Sequence, residues 1–174
     1  MNLKITENTR KQGLGPLAGP EPTILILGSL PGDESLRRKE YYGNPKNLFW
    51  KVLAAVFMDD VPEGYTSKKK FLATHHVALW DVLASAERDG SLDSHIKREE
   101  RNDVAGFLQK HPSINTVVLN GGKAARAFRK TVQDCPEAFQ GIQILEFTST
   151  SPLSISAGWP LARIIEQWKS LLNV

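Results

Sequence analysis

Four short apolar runs recur along the chain: TILIL at Thr23 to Leu27, VALW at Val77 to Trp80, INTVVL at Ile114 to Leu119, and IQILEF at Ile142 to Phe147. Their brevity and β-branched members predict strands. TILIL, with no polar alternation, predicts one covered on both faces. Between them the apolar period changes to three or four. Leu48, Phe49, Val52, Leu53, Val56 and Phe57 predict a helix with Asn47 as a possible N-cap, and a second helix starts near Ser67 and carries Phe71 and Leu72. Asn102 or Asp103 is placed to cap a helix through Val104, Phe107 and Leu108, which His111-Pro112 ends. Gly121-Gly122 turns directly into a helix bearing Ala124, Ala125, Ala127 and Phe128. Pro160 suits the first turn of a last helix with Leu161, Ile164, Ile165, Trp168, Leu171 and Leu172 on one face.

Strand and helix alternate four times, the pattern of an α/β fold: a three-layer α/β/α sandwich around a four-stranded, mainly parallel sheet. Residues 1–22, rich in Gly and Pro, read as an irregular lead-in. The polar stretch SAERDGSLDSHIKREERND, Ser85 to Asp103, reads as a long loop, and loops of that length tend to be functional or mobile. In a parallel sheet the ligand site lies beyond the carboxyl ends of the strands. Those ends here are Gly28-Ser29-Leu30-Pro31-Gly32, Asp81, Asn120-Gly121-Gly122 and TSTSPLSIS (148–156), all polar or Gly-rich.

Composition narrows the class. At 174 residues, 41% hydrophobic, the chain can bury a core as one domain spanning 1–174, and no apolar run approaches the length of a membrane span. The single cysteine, Cys135, excludes an internal disulfide and fits a reducing, cytoplasmic setting. A net charge of +3 suits a polyanionic partner without establishing one.

Motif tests remove several chemistries. His75-His76 is no metal pair, since adjacent residues point apart and no Cys or carboxylate completes a site. Gly121-Gly122-Lys123 lacks the first Gly and the following Ser or Thr of a phosphate-binding loop. No GxSxG elbow is present, which disfavours a serine hydrolase. Lys68-Lys69-Lys70 reads first as a solvated helix face. Read alone, Asn47 is a helix cap, Tyr42 a half-buried core aromatic and Asp81 a turn cap.

The ordered set GSLPGDESLRRKEYYGNPKNLFW, VALWDVLASAERDGSLDSHI, VVLNGGKAARAF and TSTSPLSIS resembles the uracil-DNA glycosylase superfamily, and most its hypoxanthine-DNA (deoxyinosine) glycosylase branch. The likeness runs from about residue 23 to the C-terminus. It implies a monofunctional, cofactor-free and metal-free monomer that flips a deaminated base, hypoxanthine, out of DNA and hydrolyses its glycosidic bond, with uracil as the alternative substrate. Asn47 corresponds to the residue that positions the attacking water, its oxygen accepting from the water. Tyr42 corresponds to the aromatic that stacks on the base, and Asp81 to the base reader. Gly28, Ser29, Phe49 and Asn120 are implied at the same base. Leu153 corresponds to an apolar wedge that fills the gap in the duplex. Pro152 and Ser154 flank it, while Ser149, Ser151, Arg37 and Arg38 are implied on the DNA backbone. The chain departs from the pattern at Leu30, where uracil-specific enzymes carry a water-activating Asp, and at Ser149, where they carry His. A member of the fold that binds DNA or a nucleobase without cleaving it therefore stands beside the enzyme reading, as does a small-molecule hydrolase or transferase.

Overall fold

The computed structural model describes residues 10–173. Its centre is a parallel sheet of β2 (Ile24–Gly28), β3 (Val77–Asp81), β6 (Thr116–Asn120) and β7 (Gln143–Phe147), in the order β3-β2-β6-β7. Alternate residues of β2 serve opposite faces. Ile24 and Ile26 pack with α2 (Phe49–Phe57), α3 (Tyr65–Thr74) and α7 (Leu161–Trp168), while Leu25 and Leu27 pack with α4 (Val104–Lys110) and α5 (Gly122–Asp134). This double cover is why TILIL shows no polar alternation. Full burial of Leu25 and Leu27 contributes about 1.5–3 kcal/mol each.

The helices follow the expected periodicity and differ at their ends. α2 buries Phe49, Val52, Leu53 and Val56 on one side and stops at Met58, whose left-handed backbone at φ 52° breaks the turn. Asn47 is not its N-cap. That position is Leu48, although the Asn47 side chain accepts a bond from the Phe49 N–H at 2.9 Å. Asp103 caps α4 by accepting from Gly106.

The segment expected as a loop contains most of a strand pair. β4 (Leu83–Glu87) and β5 (Lys97–Arg101) run antiparallel and, with β1 (Arg10–Gln12), form a second sheet in the order β1-β4-β5. The lead-in is likewise ordered in part: β1 pairs with β4, and Leu17 bridges Leu79, while residues 1–9 lie outside the described residues. β5 reads KREER and has no apolar face, so hydrophobic period carries no trace of it. Charge pairing supplies the missing order, with Glu99 to Lys123, Glu100 to Arg10 and Arg101 to Asp134.

Candidate active site

The carboxyl ends of the strands surround a cleft of about 560 Å³. Gly28 and Asp81 sit side by side in register, and a Cβ at Gly28 would stand 2.5 Å from an Asp81 carboxylate oxygen. Only glycine lets the two strand ends approach so closely. Asp81 is buried, and among the described residues its Oδ2 has no hydrogen-bond partner. Burial pushes its pKa up to about 7, Asp93 adds to the rise, and the Arg88 cation opposes it.

The turn after β2 is held by the hairpin between β4 and β5. Arg88, 1% exposed, donates to the carbonyls of Leu30, Pro31 and Gly90. Ser29 donates to Asp93 at 2.7 Å, and the Asp33 N–H reaches the Ser91 hydroxyl at 3.0 Å. Ser91, Leu92 and Asp93 thereby become one wall of the cleft. Leu30 is buried in that wall and offers the cleft no polar side chain.

Elsewhere in the cleft four side chains, Tyr42, Asn120, Thr150 and Asn47, are joined by directed bonds. The Thr150 N–H donates to Asn120 Oδ1 at 3.0 Å, which turns the Asn120 amide nitrogen toward the Tyr42 hydroxyl and the Thr150 hydroxyl, each at 3.0 Å. Thr150 Oγ1 in turn donates to Asn47 Oδ1 at 3.0 Å, the atom that also accepts from Phe49 N–H. A backbone N–H can only donate, so the direction of each amide is fixed at both ends. The Asn47 oxygen is fully engaged. Its Nδ2 has no bond to the described residues, and Asn47 lines the cleft. The oxygen expected to accept from a water is thus already held by two donors, and Nδ2 is the amide atom without a bond to the described residues.

Tyr42 adopts φ 51°, a left-handed conformation uncommon for an aromatic residue. One ring face lies on Phe49, with centroids 3.8 Å apart and planes inclined by 12°. Phe49, expected at the base, is fully buried behind Tyr42 and does not line the cleft. Asn120 lines it, yet both amide hydrogens are committed inside the protein.

The last loop closes the rim. Gly121 at φ +102° faces Ser149, where a Cβ would lie 2.9 Å from the serine Cβ. Ser151 caps the short α6 (Pro152–Ser156), and Ser149 accepts from the Ser151 N–H, so both hydroxyls keep a hydrogen to give. Ser154 spends its hydrogen on the Ser149 carbonyl. Pro152 and Leu153 also line the cleft, and Leu153 is 57% exposed. Arg37 and Arg38 do not line it. Both are drawn to Glu34 on α1 (Asp33–Arg38), at 2.7 and 2.5 Å, and Glu34 is the residue at the rim.

Sequence reasoning missed Thr150, Arg88 and Asp93. Thr150 stands inside the run TSTS, where four hydroxyl residues are interchangeable until the backbone turns one inward. Arg88 and Asp93 lie in the stretch read as a loop. Among the described residues no group of three or more His, Cys, Asp or Glu side chains is placed to hold a metal ion, and no helix is long and apolar enough to cross a membrane.

The model of the uracil DNA glycosylase superfamily matches residues 16–169. Two proteins named hypoxanthine DNA glycosylase are similar to the chain. The one from Methanosarcina acetivorans is 40% identical over 66% of this chain and 73% of its own length. The one from Methanosarcina barkeri is 38% identical with the same coverage. A solution NMR structure of a candidate uracil DNA glycosylase from Methanosarcina acetivorans superposes with a TM-score of 0.77 at 31% identity, covering 92% of this chain and 95% of that one.

Proposed function

Since the chain belongs to the uracil DNA glycosylase superfamily, we propose that it is a monofunctional glycosylase that hydrolyses the bond between a flipped, deaminated base and its sugar in DNA, with hypoxanthine the preferred base and uracil the second. The observation that carries this reading is the buried Asp81 carboxyl group at the cleft, whose Oδ2 has no partner among the described residues. A buried polar atom in that state calls for a partner from outside the protein. Hypoxanthine presents N1–H beside O6, and uracil N3–H beside a carbonyl. A carboxyl group that titrates near neutrality can accept from the N–H and, when protonated, donate to the carbonyl. The names of the two Methanosarcina relatives favour hypoxanthine as the first of the two.

The remaining parts divide the chemistry. Tyr42, backed by Phe49, gives the base a flat wall to stack on. Asn47 holds the water by donating to its oxygen, which orients the nucleophile; the proton that the water sheds on attacking the sugar passes to solvent, and the departing base anion takes one from solvent in return. That suffices because an oxocarbenium-like transition state depends more on stabilising charge in the departing base than on a strong nucleophile. Protonated Asp81 supplies that stabilisation. Flipping costs a few kcal/mol, which Leu153 offsets by filling the vacated stack.

Labelled duplexes with a single inosine or a single uracil, heated in alkali after incubation, test the assignment. Strand breakage at inosine is the expected result. A shifted band without breakage would make the protein a binder of damaged DNA, and breakage at uracil alone would exchange the two substrates.

A further inference from the structure

We infer that Thr150 is the positioning residue that turns the Asn47 amide toward the cleft; this rests on the proposed glycosylase reading and adds a group that touches neither base nor water. Thr150 is fully buried. Its carbonyl accepts from the Leu48 N–H at 2.9 Å, so the last loop is fastened to the residue beside Asn47. Its own N–H fixes the Asn120 oxygen, leaving Asn120 to donate into the Thr150 hydroxyl. The hydroxyl then has one hydrogen and one direction in which to send it, the Asn47 oxygen. Because the Phe49 N–H reaches the same oxygen, the amide is held by two donors and its nitrogen is driven to the cleft. Removing the hydroxyl leaves Asn47 on one bond, while the Thr150 N–H and the Tyr42 hydroxyl still hold Asn120. A water held by Asn47 then loses its place, and misplacement on the order of 1 Å is enough to cost about 10²-fold in rate.

Thr150→Val keeps the shape and deletes the hydroxyl, whereas Thr150→Ser keeps the hydroxyl. In single turnover on an inosine duplex, Thr150→Val is expected to be slower by about 10²-fold with duplex affinity unchanged. Thr150→Ser returns close to the wild-type rate. In an Asn47→Ala background Thr150→Val costs nothing further, since the amide it positions is gone. A folded Thr150→Val at wild-type rate, a Thr150→Ser as slow as the valine variant, or losses that add in the double variant would each overturn the inference. NMR of the DNA-free protein supplies a readout that does not depend on cleavage. The wild type must show a slowly exchanging Thr150 hydroxyl proton with Overhauser contacts to the Asn120 side-chain amide, and the Asn47 amide signals must shift in Thr150→Val and recover in Thr150→Ser. A rapidly exchanging hydroxyl overturns the inference even if the valine variant fails to fold. If the wild type cuts neither duplex but gives these signals, the glycosylase reading falls and the positioning of Asn47 stands.

Discussion

Asn47 is tied to the start of α2 and to the last loop at once, so its two roles separate by experiment. Asn47→Ala removes a helix-end bond worth about 1 kcal/mol and takes the acceptor from the buried Thr150 hydroxyl, about 1–3 kcal/mol more, so the variant should melt lower yet stay folded. If its amide holds the water, the same substitution removes a transition-state interaction of about 3 kcal/mol, a loss of at least two orders of magnitude in single-turnover rate. A near wild-type rate in a folded variant would take Asn47 out of the mechanism. Asp81 gives a second test at this scale, through pH. An unfolded chain releases this proton near its ordinary value of 3.8, whereas the fold retains it up to about 7. Between those values the folded state binds more protons, so raising the pH withdraws stability, by at most about 1.4 kcal/mol per unit, and the loss is complete above the folded value. Asp81→Asn does not titrate. Its melting temperature relative to wild type should therefore climb from pH 5 to pH 7 and level off by pH 8. A difference that stays flat over this range would show that Asp81 titrates normally.

At the scale of elements, the site is a meeting of strand ends with two loops, and the loops carry opposite kinds of side chain. α6 displays Leu153, 57% exposed, at the mouth of the cleft. A core leucine truncated to alanine costs about 2–5 kcal/mol. An exposed one leaves no cavity, so Leu153→Ala should melt close to wild type. Its cost belongs to the flipped state, where an unfilled gap lets the nucleotide restack. Cleavage of a paired inosine duplex should fall, and cleavage of the same lesion in single-stranded DNA should fall less. Equal loss on both substrates would exclude a wedge. The elements also mark where sequence reading works. The four strands and the main helices were legible because burial on both faces of a parallel sheet leaves apolar runs and three-to-four periods in the chain. β5 was not legible, because KREER is ordered by ion pairs to Arg10, Lys123 and Asp134, partners far away in sequence. With the hairpin hidden, the walls contributed by Arg88 and Asp93 were hidden as well. Asn47, Tyr42, Asp81 and Leu153 were singled out together by the resemblance of their motifs to a known family, and all four line the cleft, whereas the hold on the Asn47 oxygen depends on Thr150, 103 positions away.

The whole molecule carries a net charge of +3, too small for a uniform attraction to DNA, so the distribution of charge around the cleft decides how a polyanion is received. Glu34 stands at the rim and holds both Arg37 and Arg38, and the two cations hold its pKa well below the carboxylate range through hydrogen bonds and charge. The arginines expected on phosphate are thus engaged by a carboxylate in the DNA-free protein. If they are to reach the DNA backbone, each phosphate contact has to compete with Glu34. Glu34→Gln removes that competitor without shortening the side chain. Duplex binding should tighten, and the dependence of log affinity on log salt should steepen by about 0.9 for each phosphate newly contacted. Flanking sequence should matter little in either protein, because backbone contacts position and do not read. Titrations of one duplex at several salt concentrations, with wild type and Glu34→Gln side by side, measure both quantities. An unchanged slope would mean that Glu34 does not compete with phosphate for Arg37 and Arg38.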